Sequence, residues 1–436
     1  MSDRQISVHR GSSGPKVAII GAGAIGLGIG WRLAKAGVAV DIFERAEAGR
    51  GASWAAAGML AADLEAEPGE ERLHALNRES VGRWPAFAEE LEAAAGFDVE
   101  LRREGTLAIA LTADEAGQLR HQSEYQRGLG IALEWLSAAE LRRREPRLAP
   151  SVVAAAFSPR DLQVNNRRLV AALETAFRRA GGHLHRQTPI SQVILANGRA
   201  TGVLVGREVH HADTVVLAAG AWSREIGGIP REILPPVRPI KGQMLALHMA
   251  PDAPLIRHVI WAPGVYIVPR RHGTLILGAT VEERGFDTSL TAGAMLSLLH
   301  AAWRALPDIA ELAVTETWTG FRPGSPDDAP ILGPCAIEGL ILATGHHRNG
   351  ILLMPITADE TCRCVLTGEV SAIIRPFGAE RFRARAPQHS RPNAPHPHPP
   401  PQQGKGSATA ANFSPAPREG GGLGGSGAEI PKETTP

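Results

Sequence analysis

The spacing of apolar residues changes period twice within the first 45 positions. "KVAII" (16–20) is a short β-branched run without alternation, which predicts a strand buried on both faces. Ile25 to Lys35 reads as a helix, and "GVAVDIFER" (37–45) returns as a second strand. That order is a βαβ unit of about 30 residues. Later runs extend the picture. "TVVLAAG" (214–220) and "GLILATG" (339–345) are further parallel-strand candidates, each ending in glycine, which fits one sheet whose carboxyl edge faces a ligand. "GQMLALH", "GVYIVPR" and "GTLILGAT" alternate as antiparallel strands do, with a turn at "RRHG". "DEAGQLRHQSEYQRGL" and "NRRLVAALETAFRRA" read as helices, the first belonging with the antiparallel strands and the second with the parallel ones. Two interleaved units follow from this pattern.

Composition narrows the class. The chain has 436 residues, enough for two sizeable cores, with 44% hydrophobic and 21% charged residues, as in an ordinary globular protein. A formal net charge of +1 gives no electrostatic reason to bind nucleic acid or an acidic membrane. Three cysteines cannot build a disulfide framework, and Cys362-x-Cys364 lacks the second cluster a metal site needs, so no metal is expected. The polar start "MSDRQISVHRGSSGPK" lacks the apolar core of a signal peptide. The apolar stretch 17–40 is broken by Arg32, Lys35 and glycines, so no membrane span is expected and the reading is cytoplasmic. After Phe377 aliphatic residues nearly vanish among Pro, Gly and Ser, and 378–436 is expected to be a disordered tail. Its "HPHPPP" is read as part of a solvated segment.

The chemistry starts at the first turn. Gly21 permits the tight bend, Gly23 lets the backbone approach a pyrophosphate, and Gly26 lets helix and strand pack closely. The helix N-terminus, at Ala24 and Ile25, then faces the phosphates with its free N–H groups. Glu44, at the end of the second strand, is placed to accept from both ribose hydroxyls, and with Glu44 there Arg45 does not signal a 2′-phosphate. This unit does not separate NAD from FAD. "GRGASWAAAGML" (49–60) fits a backbone lying close to a flat ring, and equally fits a loop or a packed alanine helix.

The Gly-rich unit, Glu44-Arg45 and "SWAAAGM" together resemble the FAD domain of the D-amino-acid oxidase superfamily. "TVVLAAGAWS" (214–223), "VYIVPR" (265–270), "WTGFRPGSPDDAPILG" (318–333) and "GHHRNGILLMPITA" (345–358) follow in the family's order, and the match resembles the glycine oxidases of thiamine biosynthesis most. The resemblance covers about Lys16 to Phe377. It implies an α/β protein: a Rossmann-like FAD-binding domain from 16–98, 152–234 and 324–377, and a substrate domain with a mostly antiparallel sheet from 99–151 and 235–323. It implies FAD contacts from Ala52, Ser53, Ala57, Gly58, Met59, Ile190, Gly220, His346, His347, Asn349, Gly350, Ile351 and Leu352, besides the first turn. Cys335 does not match the position through which related enzymes attach flavin, so FAD is expected to be non-covalent.

On the substrate side, Arg322 in "GFRPG" is expected in a loop stiffened by Pro323, where a guanidinium matches a carboxylate in bidentate geometry. A structural ion pair with Asp327 or Asp328 is the competing assignment. Tyr266 is one of only two tyrosines and can add a second donor. The resemblance assigns both to the carboxylate and places Arg348 at the same pocket. His346 and His347 are read as packing and hydrogen-bonding residues, because hydride transfer from a neutral amine needs no base. Trp54 stands where relatives are usually small or polar, so a different arrangement of the loop over the ring is expected, and Met354 and "TCRC" differ from the usual small or aliphatic residues. The expected reaction is oxidation of glycine, with sarcosine and small D-amino acids as further candidates, using O2 and releasing H2O2. A dehydrogenase passing electrons to a quinone or protein, and a non-catalytic FAD-binding subunit, are the alternatives. A homo-oligomer is compatible with the sequence.

Overall fold

The computed structural model describes residues 15–382. The first fourteen residues, and 383–436 of the expected tail with its "HPHPPP", lie outside the described residues. The start of that tail is a correction: Ala379–Phe382 forms a short helical turn, held by Arg381 pairing with Asp327 at 2.8 Å. A six-stranded sheet is ordered Ile331–Pro334, Leu340–Thr344, Thr214–Leu217, Lys16–Ile20, Ala39–Phe43, His183–His185. Its strands run parallel except Ile331–Pro334 at one edge. The central strand reads "KVAII" because helices cover one face and a second apolar layer covers the other, so alternation has no use there.

The helix Ala24–Lys35 begins one residue earlier than its apolar pattern implies. It packs between the sheet and the helices Asn166–Arg179 and Met354–Thr367. Close approach is built in: a Cβ on Gly30 would meet Ile42 Cδ1 at 2.6 Å, and one on Gly28 would meet Met354 Sδ at 2.9 Å. Met354, unusual at its position, is fully buried against this helix and fills the gap as a flexible side chain can.

An eight-stranded, mostly antiparallel sheet is ordered Ala313–Gly324, Arg238–His248, Thr274–Gly278, Val265–Pro269, Val259–Ala262, Thr106–Ala110, Ala154–Ser158, Glu134–Ser137. The helix Ala113–Gly128 lies on it and Asn166–Arg179 lies on the parallel sheet, as the sequence pattern predicts. Arg322 is a correction. It sits inside the strand Ala313–Gly324, opposite Ile240, and is not in a loop. Pro323 is tolerated there because this strand is the edge of the sheet, where a missing donor costs no ladder bond.

Among the described residues, no helix is long and apolar enough to cross a membrane.

Candidate active site

Sheet register brings the substrate-side candidates together. Tyr266 pairs with Gly278, Gly278 with Met244, and Met244 with Trp318, so these four form a row across four strands on one face. Arg322 lies four pairs further along, opposite Ile240, and alternation returns it to that face. Two glycines clear the space. A Cβ at Gly278 would meet the Tyr266 ring at 2.6 Å, and one at Gly242 would meet Arg322 Nη1 at 2.7 Å. Arg322 donates to the Thr280 carbonyl at 3.1 Å, and the nearby Tyr266 hydroxyl donates to Met244 Sδ at 3.7 Å. It has no carboxylate partner within ion-pairing distance among the described residues. Asp327, the competing partner, is taken by Arg381 at 2.8 Å, and Asp328 faces His347 at 3.3 Å. Arg322 therefore presents a guanidinium without a counter-ion to a cavity.

That cavity has a volume of about 610 Å³ and lies between the two sheets. At one end Gly21, Gly23, Ala24 and Ile25 line it, with Glu44 and Arg45 beside them. Gly21 has φ +104, and a Cβ there would strike Ala218 O at 2.6 Å. Gly26 is the one predicted contact residue that does not line the wall. A Cβ on it would fall 1.9 Å from Gly21 O, so it holds turn and helix in contact, as its packing role requires. Glu44 accepts from the backbone N–H groups of Ala22 and Ala46, which fixes its carboxylate at the cavity edge. Arg45 stacks over Trp222 at 3.7 Å.

The small-residue run forms a one-turn helix, Ala52–Ala55, and then an extended segment. Ala52, Ser53, Ala57, Gly58 and Met59 all line the cavity, and Ser53 Oγ accepts from Ala24 N. Trp54 turns away, packing edge-on against Trp318 with Arg167 over its ring, so it does not disturb the wall. Ile190 and Gly220 complete this side. On the far side come His346, His347, Asn349, Gly350, Ile351 and Leu352. His346 is buried, donates to or accepts from Thr357 at 3.1 Å, and burial pushes its pKa down to about 3. Burial likewise holds His347 at about 4, against the opposing charge of Asp328. Both rings are neutral near pH 7, consistent with packing roles.

Arg348 also lines the cavity, but its charge is spent. Glu65, Glu67 and Glu70 stand 3.0, 3.4 and 3.6 Å from its guanidinium. Burial opposes its charge, and the three carboxylates overcome this and hold its pKa above the ordinary value. Glu65 was not legible in the sequence as a site residue. It faces the cavity, and burial raises its pKa to about 7 despite Arg348. The acidic run "EAEPGEER" looks like a solvated helix start, and only the fold brings it to Arg348. Met244, Trp261 and Gly242 were missed as well. The glycine had a signal, since glycine inside a strand marks a close approach.

The residues present fit a flavin dinucleotide. A glycine turn that excludes any Cβ, a helix N-terminus without a side-chain cap or first-turn acid, and a carboxylate at the strand end form one extremity. An apolar slot walled by backbone forms the other. None of the three cysteines lines the cavity.

Comparison with known proteins agrees. A glycine oxidase of Geobacillus kaustophilus is 37% identical over 84% of this chain and 96% of that protein. A bifunctional ThiO/ThiG protein of Trichormus variabilis is 36% identical over 85% of this chain but only 55% of its own length. The crystal structure of glycine oxidase from G. kaustophilus superposes with a TM-score of 0.78, covering 84% of this chain and 99% of that one. The FAD-dependent oxidoreductase profile matches residues 16–363, and the chain belongs to that family.

Proposed function

We propose that this enzyme oxidises glycine: glycine, water and O2 yield glyoxylate, ammonia and H2O2. The observation that carries this reading is Arg322, a cation without a carboxylate partner, held beside the Tyr266 hydroxyl at the cavity wall. The similarity to glycine oxidases over most of the chain supports it.

Bound FAD would supply the hydride acceptor and pass the electrons to O2. The chain's own part is recognition and exclusion. Arg322 binds the substrate carboxylate in a fork, and Tyr266 adds a neutral hydrogen bond. Met244 and Trp261 cover the site with apolar surface, so the carboxylate pairs without competition from water. The first turn, Glu44 and the 52–59 segment hold the cofactor non-covalently, and residues 346–352 line its opposite side. His346, neutral and engaged with Thr357, moves no proton. Arg348 lends the cavity no free positive charge, as its three glutamates neutralise it.

The cofactor half comprises 16–98, 152–234 and 324–377, and the substrate half 99–151 and 235–323. The two sheets support this division except at Ala154–Ser158, which falls within 152–234 but pairs in the eight-stranded sheet. The relative that joins ThiO to ThiG supports a role in thiamine biosynthesis, with the glycine imine feeding thiazole formation. Three cysteines, too few for a disulfide framework, support a cytoplasmic site.

An anaerobic panel of amines, followed by loss of flavin absorbance, tests the substrate. Glycine should bleach the flavin, and amines without a carboxylate should not. In air, about one H2O2 per glycine is expected; glycine oxidation that proceeds only with a quinone would assign the alternative acceptor.

A further inference from the structure

One buried cation has no role in the chemistry above. Arg270, just past the strand Val265–Pro269, is 6% exposed. Its guanidinium donates to Val164 O at 2.7 Å, Asn166 Oδ1 at 3.1 Å, Gln163 Oε1 at 3.5 Å and Ala57 O. All four acceptors are neutral, and no carboxylate lies within ion-pairing distance of it among the described residues. Glu100 acts on it through space, but Glu100 is engaged by His272 at 2.9 Å and Arg168 at 3.5 Å. Burial pushes the Arg270 pKa down to about 10, far above neutrality, so the charge persists.

Burying an unpaired charge is expensive, and folded proteins pair such groups or use them. Here the charge stands behind a wall of the cavity. Ala57 and Gly58 line the cavity on one side and touch Arg270 on the other. Gly58 has φ +71, and a Cβ on it would come within 2.0 Å of Val164 O and 2.9 Å of Arg270 Nη2. Nothing larger than backbone separates the guanidinium from the cavity at this point. Beside it, the Nε2 of buried Gln163 has no hydrogen-bond partner, although its Oε1 accepts from this cation.

We infer that Arg270 is a positioning residue that clamps the Ala57–Gly58 wall and places a permanent positive charge behind it, favouring the electron-rich reduced form of the bound flavin. This rests on the FAD reading. A flavin gains negative charge on reduction, and a fixed cation in a low-dielectric wall stabilises that state more than the oxidised one. The fork serves the clamp: two arms hold carbonyls from segments 57 and 164, far apart in sequence, in one rigid plane.

The test uses the purified flavoprotein and two readouts besides turnover: sulfite affinity of the oxidised flavin, which rises with positive charge near the ring, and the two-electron midpoint potential. Arg270→Met should weaken sulfite binding at least about tenfold and shift the potential negative by about 30 mV for each tenfold. Arg270→Lys keeps the charge and should stay within about threefold of wild type in sulfite affinity. Gln163→Glu leaves Arg270 in place and replaces a half-satisfied amide with a carboxylate that pairs it. It should keep the fold and FAD yet move sulfite affinity and potential as Arg270→Met does. If Arg270→Met does not fold, Gln163→Glu and Arg270→Lys decide between them. Unchanged sulfite affinity and potential in FAD-loaded Gln163→Glu overturn the inference. A wild type that binds no FAD overturns the cofactor reading instead.

Discussion

Replacing Arg322 with Ala removes a cavity-facing guanidinium of the substrate sheet that has no acidic partner among the described residues. In the folded protein that side chain gives up only a hydrogen bond to Thr280 O, so the stability cost is about 1–2 kcal/mol. Catalysis loses more. A substrate carboxylate that entered an apolar pocket paired with Arg322 would be left there unpaired, at a cost of at least about 3 kcal/mol. At about 1.4 kcal/mol per tenfold, kcat/KM for glycine should fall by at least about 10²-fold. FAD content should not change, because Arg322 lies on the substrate sheet and none of its hydrogen bonds goes to the glycine turn or the 52–59 segment. Steady-state kinetics by H2O2 release, with flavin absorbance measured on the same samples, provides the assay. Arg322→Lys should recover only part of the loss, since an ammonium lacks the planar fork. Normal glycine oxidation by Arg322→Ala would refute the assignment, and Arg348 would be the next cation to examine.

Tyr266→Phe removes one neutral donor, worth about 1 kcal/mol, and should lower kcat/KM about tenfold or less without loss of FAD. Glu65→Gln should stabilise the protein most at alkaline pH. The Glu65 pKa is raised to about 7, so between its ordinary value and neutrality the folded state holds a proton that the unfolded chain has released, and stability declines as pH rises through that window. The difference in Tm between variant and wild type should therefore grow from about pH 5 to about pH 8 in a thermal melt. A constant difference would mean that Glu65 is charged throughout. Gly26→Ala forces a Cβ to within 1.9 Å of Gly21 O, and FAD binding measured by fluorescence quenching should weaken at least about tenfold as the first turn is displaced.

Most of the cofactor end was legible because its physics is local. Gly21, Gly23, Gly26 and Glu44 act within one βαβ unit, where period and punctuation lie side by side in the chain. The substrate end depends on register. That Arg322 and Tyr266 share a face follows from the pairs Tyr266–Gly278, Gly278–Met244 and Ile240–Arg322, which no single window contains. Pro323 misled for a related reason: it reads as a loop residue unless the strand is known to be an edge. Arg348 was found, but its neutralisation was not, because Glu65, Glu67 and Glu70 reach it only through tertiary packing. Trp54 stood out in the sequence only as a departure from relatives, and its packing onto Trp318 is likewise a tertiary fact.

The chain passes back and forth between the two sheets: from Phe43 to Thr106, from Ser158 to His183, from Leu217 to Arg238 and from Gly324 to Ile331. Each passage stitches the seam along which the cavity lies. A protease cut at the second or third passage would leave both fragments still woven into both layers, held by the remaining stitches and by the strands paired on either side. Such a nicked protein should migrate as pieces in a denaturing gel yet elute as one body under native conditions, and a ligand spanning the seam would knot the weave tighter.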